Sequence, residues 1–235
     1  MSNLRPDAAF EQAYDRLVQL EMRQLSICSI NRHSGSSVLA LALAKRAAET
    51  GKRVLLIDFN TVYPGLHLLT ELERNEWLPL TGHWEHSVQP TEIPGLNLLT
   101  CPEKTSHCIE FHDPETLKLF LQSCRQQYDM VICDTVSLHE NSADTIPAEV
   151  VAACSQATVL NILAGVTTES HLDDARQTLN SCGALLIGAV LNDRFNPNLK
   201  KELLRETHRL DRWFPRLMKI LRDWLEHRVL LSQDI

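Results

Sequence analysis

The stretch LSICSINRHSGSSVLALALAKRAAETGKRVLLIDFNTVYP, residues 25–64, decides the fold. Its pattern predicts a strand, a polar loop, a helix and a second strand, in that order, over Leu25–Ile30, Asn31–Ser36, Ser37–Thr50 and Arg53–Asp58. A strand, a crossover helix and a second strand form a βαβ unit with parallel strands. At the loop before such a helix, free backbone N–H groups and the helix dipole favour a phosphate group.

The loop keeps part of the phosphate-binding pattern G-x-x-x-x-G-K-[ST]. Ile30 stands at its first glycine and Gly35 at its second, while Ser36 stands at the lysine and Ser37 at the hydroxyl residue. In such sites the lysine neutralises the β- and γ-phosphates, which a serine cannot do. The stretch therefore predicts either a nucleotide site or the remnant of one.

The rest of the chain continues the alternation of strands and helices. Further strands are predicted over residues 95–100, 130–133, 157–163 and 184–191, and further helices over 66–72, 114–127, 148–153 and 168–182. Because these strands are apolar throughout, the sequence predicts a three-layer α/β fold with a mostly parallel, doubly wound sheet. An amphipathic helix over 6–24 precedes the sheet, and we divide the chain into a domain at 1–195 and a C-terminal helical extension at 196–235.

Polar residues follow the predicted strands at one edge of the sheet, where ligands bind in such folds. We predict that Ser37, Asp58 and Asp134 hold Mg²⁺, and that Asp58 and Asp134 carry any catalysis. The predicted nucleotide-binding residues are Arg32, His33, Ser34, Gly35, Ser36, Ser37 and Asn192. Two alternatives stay open: Ser37 caps the helix while Asp134 only ends a strand, and Arg32 lies on a solvated surface instead of replacing the lysine.

Composition excludes several classes of function. The net charge of −7 argues against a large nucleic-acid interface, although residues 196–235 are net basic. No apolar run is long enough to cross a membrane and the N-terminus has no leader pattern, so we expect a cytoplasmic protein, with the inner membrane face as an alternative. The seven cysteines form no C-x-x-C pair, which predicts neither a zinc site nor a disulfide framework.

Four segments resemble a known superfamily. They are GKRVLLIDFNTVYPGL (51–66), YDMVICDTVS (128–137), ATVLNILAGVTTES (157–170) and LLIGAVLND (185–193). In this order they resemble the acidic motifs and final strands of the MinD/ParA-type P-loop ATPases, and in particular the bacterial tyrosine kinase branch of capsule and exopolysaccharide synthesis. The cellulose-secretion accessory ATPases are a second branch of this superfamily that the chain resembles. EQAYDRL (11–17) resembles the oligomerisation helix that precedes that kinase domain. The resemblance covers about residues 10–195 and implies a P-loop NTPase fold, ATP with Mg²⁺, and a dimer.

Several positions depart from that superfamily's pattern. They are Asn31 at the lysine of the deviant ParA motif, Ser36 at the second lysine, Asn60 at an acid, and Val136 and Ser137 at two prolines. The kinase branch ends in a tyrosine cluster, whereas the three tyrosines here are Tyr14, Tyr63 and Tyr128. The departures favour a site whose catalysis has lapsed, because they fall in three separate parts of one site.

Three hypotheses follow. The first is a non-catalytic accessory or regulatory subunit, without a resident cofactor, that dimerises or docks on proteins of an envelope machine for exopolysaccharide or cellulose synthesis and secretion. The second is an ATPase that binds ATP and Mg²⁺ and switches or positions a partner; the third is a tyrosine kinase-like protein. Residues 212–230 form a Trp-bearing amphipathic pattern that predicts either peripheral membrane contact or packing on protein.

Overall fold

The strands in the described part of the chain form one sheet. The computed structural model describes residues 8–81, 83–103, 109–138, 140, 142 and 144–193. Within these residues the strands are β1 (Gln24–Ser29), β2 (Val54–Phe59), β3 (Val88–Pro90), β4 (Leu96–Leu99), β5 (Met130–Ser137), β6 (Ala157–Leu163) and β7 (Leu186–Asn192). Their order in the sheet is β3-β4-β2-β5-β1-β6-β7, parallel throughout except for the antiparallel pair β3 and β4.

Helices cover both faces of this sheet. They are α1 (Ala8–Gln19), α2 (Ser36–Glu49), α3 (Leu66–Thr70), α4 (Ile109–His112), α5 (Pro114–Gln127), α6 (Ala148–Cys154) and α7 (Glu169–Ser181), with a 3₁₀ turn at Trp84–Ser87. α1 and α2 share one buried cluster with the sheet, while α5, α6 and α7 contribute to the clusters on the opposite face. The structure confirms the predicted three-layer, mostly parallel α/β fold.

The two faces of the sheet are packed by different side chains. The α2 face uses small residues such as Ala40, Ala44 and Ala47, which let the helix lie close to β1 and β5. The α5 face uses aromatic rings, with the Trp77 ring centroid 5.1 Å from that of Phe111 and 5.4 Å from that of Phe120. Both layers are buried, and the sheet between them is therefore held in place from both faces.

Several boundaries differ from the sequence prediction. α1 ends at Gln19 and not near residue 24, and Glu21 in the following turn has a left-handed φ of 53°. β5 does not stop at Cys133 but continues to Ser137 through a bulge, since Ile27 pairs with Asp134 while Ser29 pairs with Ser137. The short edge strand β3 and the helix α4 were not predicted.

The C-terminal extension lies outside the part that the structure describes. The chain divides into units Met1–Asn192 and Asp193–Ile235, and only Asp193 of the second unit is described. The predicted helices after residue 196 and the membrane contact through 212–230 thus stay predictions. Within the described residues, every helix is too short or too polar to span a bilayer.

Candidate functional site

The predicted phosphate loop lies at the carboxyl edge of the sheet. It joins the end of β1 to the start of α2, and β1 is the strand with β5 on one side and β6 on the other. From β1 the chain crosses to β2 on one side of the sheet, and later fills the other side with β6 and β7. This is the kind of switch point at which open α/β sheets bind ligands.

Two residues of the loop have a left-handed backbone conformation. His33 has φ 54°, and its ring centroid lies 4.5 Å from that of Tyr63. Gly35, the residue before α2, has φ 85°, and a Cβ built there would lie 2.7 Å from Nδ2 of Asn192. Glycine is required at this position both because of its φ and because of this close approach.

Two amides hold the middle of the loop. Nδ2 of Asn161 on β6 and Nδ2 of Asn192 on β7 donate to the Ser34 carbonyl, at 2.9 and 2.7 Å. At the start of the loop, the Thr167 hydroxyl donates to Oδ1 of Asn31 at 2.5 Å. The loop is therefore fixed by hydrogen bonds from two strands and from the loop after β6.

Ser37 and Asp134 form the closest contact of the predicted metal site. The Ser37 hydroxyl donates to Oδ2 of Asp134 at 2.5 Å. Asp134 is fully buried, and its other oxygen, Oδ1, has no hydrogen-bond partner among the described residues. Such an oxygen is costly to bury without a partner, which makes it a candidate ligand atom.

Asp58 lies beside Asp134 in the register of β2 and β5, but its oxygens are engaged. Oδ1 accepts from the backbone N–H of Asn60 at 2.9 Å, and Oδ2 accepts from that of Leu66 at 3.3 Å. These bonds fix the turn after β2 and the start of α3. In the described structure, Asp58 thus shapes the backbone around the site.

Burial dominates the electrostatics of this acid pair. Burial raises the pKa of Asp58 to about 7, against the opposing effect of its backbone hydrogen bonds. Burial, followed by the repulsion from Asp58, raises the pKa of Asp134 well above its usual range. Two adjacent buried carboxyl groups resist double ionisation, so a cation that binds here has to displace a proton.

The structure brings some of the predicted site residues into contact and places the others apart from them. Ser37 is hydrogen-bonded to Asp134, and Asp58 lies beside Asp134 in the strand register. Ser34, Gly35 and Asn192 form a second group of contacts. Ser36 is buried in the first turn of α2, while Arg32 and His33 are exposed. The Arg32 guanidinium does not lie free but forms an ion pair with Glu140.

Sequence reasoning missed four residues around the loop. They are Tyr63, Glu140, Asn161 and Thr167. Asn161 had a usable signal, because it is a lone amide inside the apolar run ATVLNIL and is 1% exposed. Glu140 and Thr167 stand in polar segments, where no pattern distinguishes them.

The residues present fit a divalent cation better than a triphosphate. Magnesium takes oxygen ligands, and the Ser37 hydroxyl and the Asp134 carboxylate provide them. A nucleotide bound with such an ion would supply the phosphoryl group for any transfer chemistry. However, Ser36 stands where the phosphate-binding pattern has its lysine, and it brings no charge to the phosphates of a nucleotide. Arg32 is engaged by Glu140.

Comparisons with known proteins agree with this geometry. No protein family model matches the chain. Tyrosine-protein kinase YwqD of Bacillus subtilis (strain 168) is 28% identical over 181 residues, 75% of each chain. The putative tyrosine-protein kinase CapB of Staphylococcus aureus is 26% identical over 176 residues, 73% of this chain and 75% of the relative.

Solved structures share the fold. The chimerical protein CapA2B2 has a TM-score of 0.66 at 22% identity, over 77% of this chain and 80% of that one. The septum site-determining protein MinD of Pyrococcus horikoshii OT3, complexed with Mg-ADP, has a TM-score of 0.59 at 19% identity, over 72% and 69% of the two chains. The chain is similar to MinD/ParA-type P-loop ATPases, near their bacterial tyrosine kinase branch.

This result confirms the resemblance found in the sequence and the P-loop NTPase fold that it implied. The structural neighbours are under 25% identical, so they establish the fold, whereas the sequence relatives provide the link to the tyrosine kinases. The Asn31–Gly35 loop, between β1 and α2, is thus the candidate functional site of this P-loop fold.

Proposed function

We propose that this chain is a non-catalytic accessory or regulatory subunit that works by dimerisation and protein docking. One observation carries the proposal, namely the charge of the phosphate loop. Ser36 stands at the predicted lysine position, and Arg32, the one arginine or lysine between residues 31 and 44, is bound by Glu140. A triphosphate would meet little positive charge in this loop, which supports a role without turnover.

The proposed setting is a bacterial envelope machine on the cytoplasmic side of the inner membrane. Support comes from relatives named as tyrosine-protein kinases and from the resemblance to the capsule and exopolysaccharide branch. Exopolysaccharide synthesis or secretion, with cellulose as one case, is the proposed process. The proposed partners are protein components of that machine.

Calorimetry and a hydrolysis assay with ATP and Mg²⁺ test this proposal. We expect no turnover above background from the wild type and tighter ATP binding by Ser36→Lys, which restores the cation that phosphates require. Asp134→Ala serves as the site control. Micromolar binding of ATP by the wild type that Asp134→Ala weakens, or measurable turnover, would contradict the proposal.

A second candidate function is an ATP-dependent switch. The Ser37 hydroxyl bonded to Asp134, and the partnerless Oδ1 of Asp134 among the described residues, favour a magnesium nucleotide at this point. Sedimentation of the protein with and without ATP and Mg²⁺ separates the candidates. A dimer that forms only with nucleotide supports the switch, while an unchanged sedimentation profile supports the non-catalytic subunit.

A third candidate is a tyrosine kinase-like protein, supported by the names of the relatives. Tyr14 is 2% exposed and Tyr128 is half-buried, whereas Tyr63 is 43% exposed. Mass spectrometry after incubation with ATP and Mg²⁺ tests this candidate. Phosphotyrosine in the product would favour it, and an unmodified chain would leave the non-catalytic role in place.

The C-terminal segment has its own proposed contact. The amphipathic pattern of residues 212–230 supports either an anionic membrane surface or a protein as the contact. Flotation with anionic vesicles, with and without residues 212–235, separates the two. Equal flotation of both chains would exclude this segment as a membrane contact.

A further inference from the structure

Two carboxylates from one stretch of chain hold the phosphate loop and the first turn of α2. Asp134 lies within β5 and accepts from the Ser37 hydroxyl at the start of α2. Glu140 follows the end of β5 and pairs with the Arg32 guanidinium in the loop itself. The two side chains that would meet a cation and a phosphate are therefore both engaged by acids of the protein.

Glu140 is held in position by its backbone. Its N–H donates to the Ser137 carbonyl at 2.9 Å, and its carbonyl accepts from the Thr145 hydroxyl at 3.3 Å. The N–H of Leu138 donates to the Ser29 carbonyl at 2.9 Å, which ties this end of β5 to the end of β1. The backbone of Glu140 is therefore fixed beside the loop, and its carboxylate reaches Arg32 from this position.

The exposure of the two partners differs. The Glu140 side chain is 14% exposed, whereas that of Arg32 is 58% exposed. The hydrogen bond that Arg32 donates to Glu140 is also the largest influence that raises the pKa of Arg32, which stays fully charged. The carboxylate is thus the sheltered partner, while the guanidinium stands where a soluble anion can reach it.

We propose that Glu140 is an internal competitor for phosphate, which occupies Arg32 in place of a phosphate group. This inference rests on the proposed function, in which Arg32 is the main cation that a nucleotide meets in the loop. Arg binds carboxylate and phosphate through the same planar donors, so it cannot fully serve both at once. A phosphate group binds by exchange against Glu140, and the carboxylate lowers its affinity by competition and by repulsion.

Binding of ATP with Mg²⁺ and of inorganic pyrophosphate, measured by calorimetry, tests the competition. Glu140→Gln keeps the shape of the side chain and removes its charge. Because an ion pair with an exposed guanidinium is weak, we expect Glu140→Gln to tighten binding of both probes roughly threefold to fivefold. Arg32→Gln weakens binding, and the double variant behaves like Arg32→Gln because the competitor then has nothing to release.

The chain offers a matched control in Glu11→Gln. Glu11 accepts from Nε of Arg46 at 2.9 Å, in an ion pair between α1 and α2 away from the loop. This variant leaves the affinity for both probes at the wild-type value. Thermal unfolding of each variant establishes that the fold is kept.

The outcomes separate this inference from the proposed function. If Glu140→Gln binds both probes as the wild type does, or binds neither, the competition is wrong while the non-catalytic role stands. If the wild type hydrolyses ATP, the non-catalytic role is wrong, and the affinity ratio still decides the competition. A gain for Glu140→Gln that persists without Arg32 would also overturn the inference, since it would reflect charge alone.

Discussion

At the scale of single residues, Gly35 and Gly51 provide a matched pair. Their φ angles are 85° and 84°, but a Cβ at Gly51 would meet nothing within 4 Å, whereas one at Gly35 would meet Asn192. Gly51→Ala should lower the free energy of unfolding by about 1 kcal/mol through backbone strain. Gly35→Ala should lower it by about 1 kcal/mol more, because Asn192 then gives up its bond to the Ser34 carbonyl.

Urea unfolding measures both glycine variants. In an Asn192→Ala background the extra loss at Gly35 should vanish, which gives a double-mutant cycle for the contact. Equal losses for the two glycines in the wild-type background would show that Asn192 yields without cost.

The Asp58 carboxyl group predicts a pH dependence of stability. Its pKa of about 7 lies above its ordinary value of 3.8 because the group is buried. The folded state therefore binds this proton more tightly, so the free energy of unfolding is highest at acidic pH and falls as the pH rises towards 7. Asp134 acts in the same direction.

Urea unfolding at pH 5 and pH 8 checks this dependence. The wild type should be more stable at pH 5, and Asp58→Asn should reduce the difference. Asp173→Asn, on the exposed side of α7, is the control and should keep the full difference. A wild type equally stable at both pH values would refute the assignment.

At the scale of elements, α1 belongs to the core of the domain. Tyr14 is 2% exposed, and its hydroxyl lies 3.3 Å from that of Thr50, the residue that follows α2. The Arg46 guanidinium lies 5.1 Å from the centroid of its ring. The helix that resembles an oligomerisation segment is thus packed on its own domain through this face.

The packing of α1 predicts a large effect of Tyr14→Ala. Loss of a buried aromatic side chain should lower the free energy of unfolding by about 3 kcal/mol. Val18→Ala, at a position 44% exposed on the same helix, should change it by less than about 0.5 kcal/mol. Chemical unfolding compares the two, and similar small losses would mean that α1 detaches readily.

The elements show which parts of the fold a sequence can predict. The strands β2 and β6 were predicted correctly because their long apolar runs are typical of strands buried on both faces of a sheet. β3 was missed because three residues ending in Pro90 carry no period, and only pairing with β4 makes them a strand. The end of β5 was misplaced because its polar residues Thr135 and Ser137 are buried, which the pattern does not suggest.

At the scale of the whole molecule, exposed apolar side chains gather near the carboxyl edge of the sheet. Val38 is 58% exposed, Leu68 71% and Leu69 51%. Val38 lies in the first turn of α2 and the two leucines lie in the short helix α3, and both helices leave this edge. We propose this surface as the contact for the dimerisation or docking of the non-catalytic subunit.

Leu68→Glu should weaken self-association or partner binding about tenfold or more, since a charge enters an apolar contact. Leu119→Glu on α5, where the side chain is 54% exposed, should leave association unchanged. Sedimentation velocity over a range of concentrations compares them. An equal effect of both substitutions would place the contact elsewhere.

The candidate site was predictable only in part, and for a physical reason. The residues near the carboxyl edge of the sheet, such as Ser37 and Asp134, followed from the topology of a parallel sheet. The partners Glu140 and Asn161 are 108 and 127 residues away from the loop residues that they bond. Their role depends on how β5 and β6 are placed beside β1, which local patterns do not encode.

The interior place of β1 in the sheet has a consequence for hydrogen exchange. Its N–H and C=O groups are shared with β5 on one side and β6 on the other, so no partial opening at a sheet edge frees them. The β1 amides should therefore exchange with solvent only when the whole domain unfolds, and so report its global stability. The loop that follows β1 thus begins from slowly exchanging backbone inside the sheet, and small changes of protection in that loop would stand out against it.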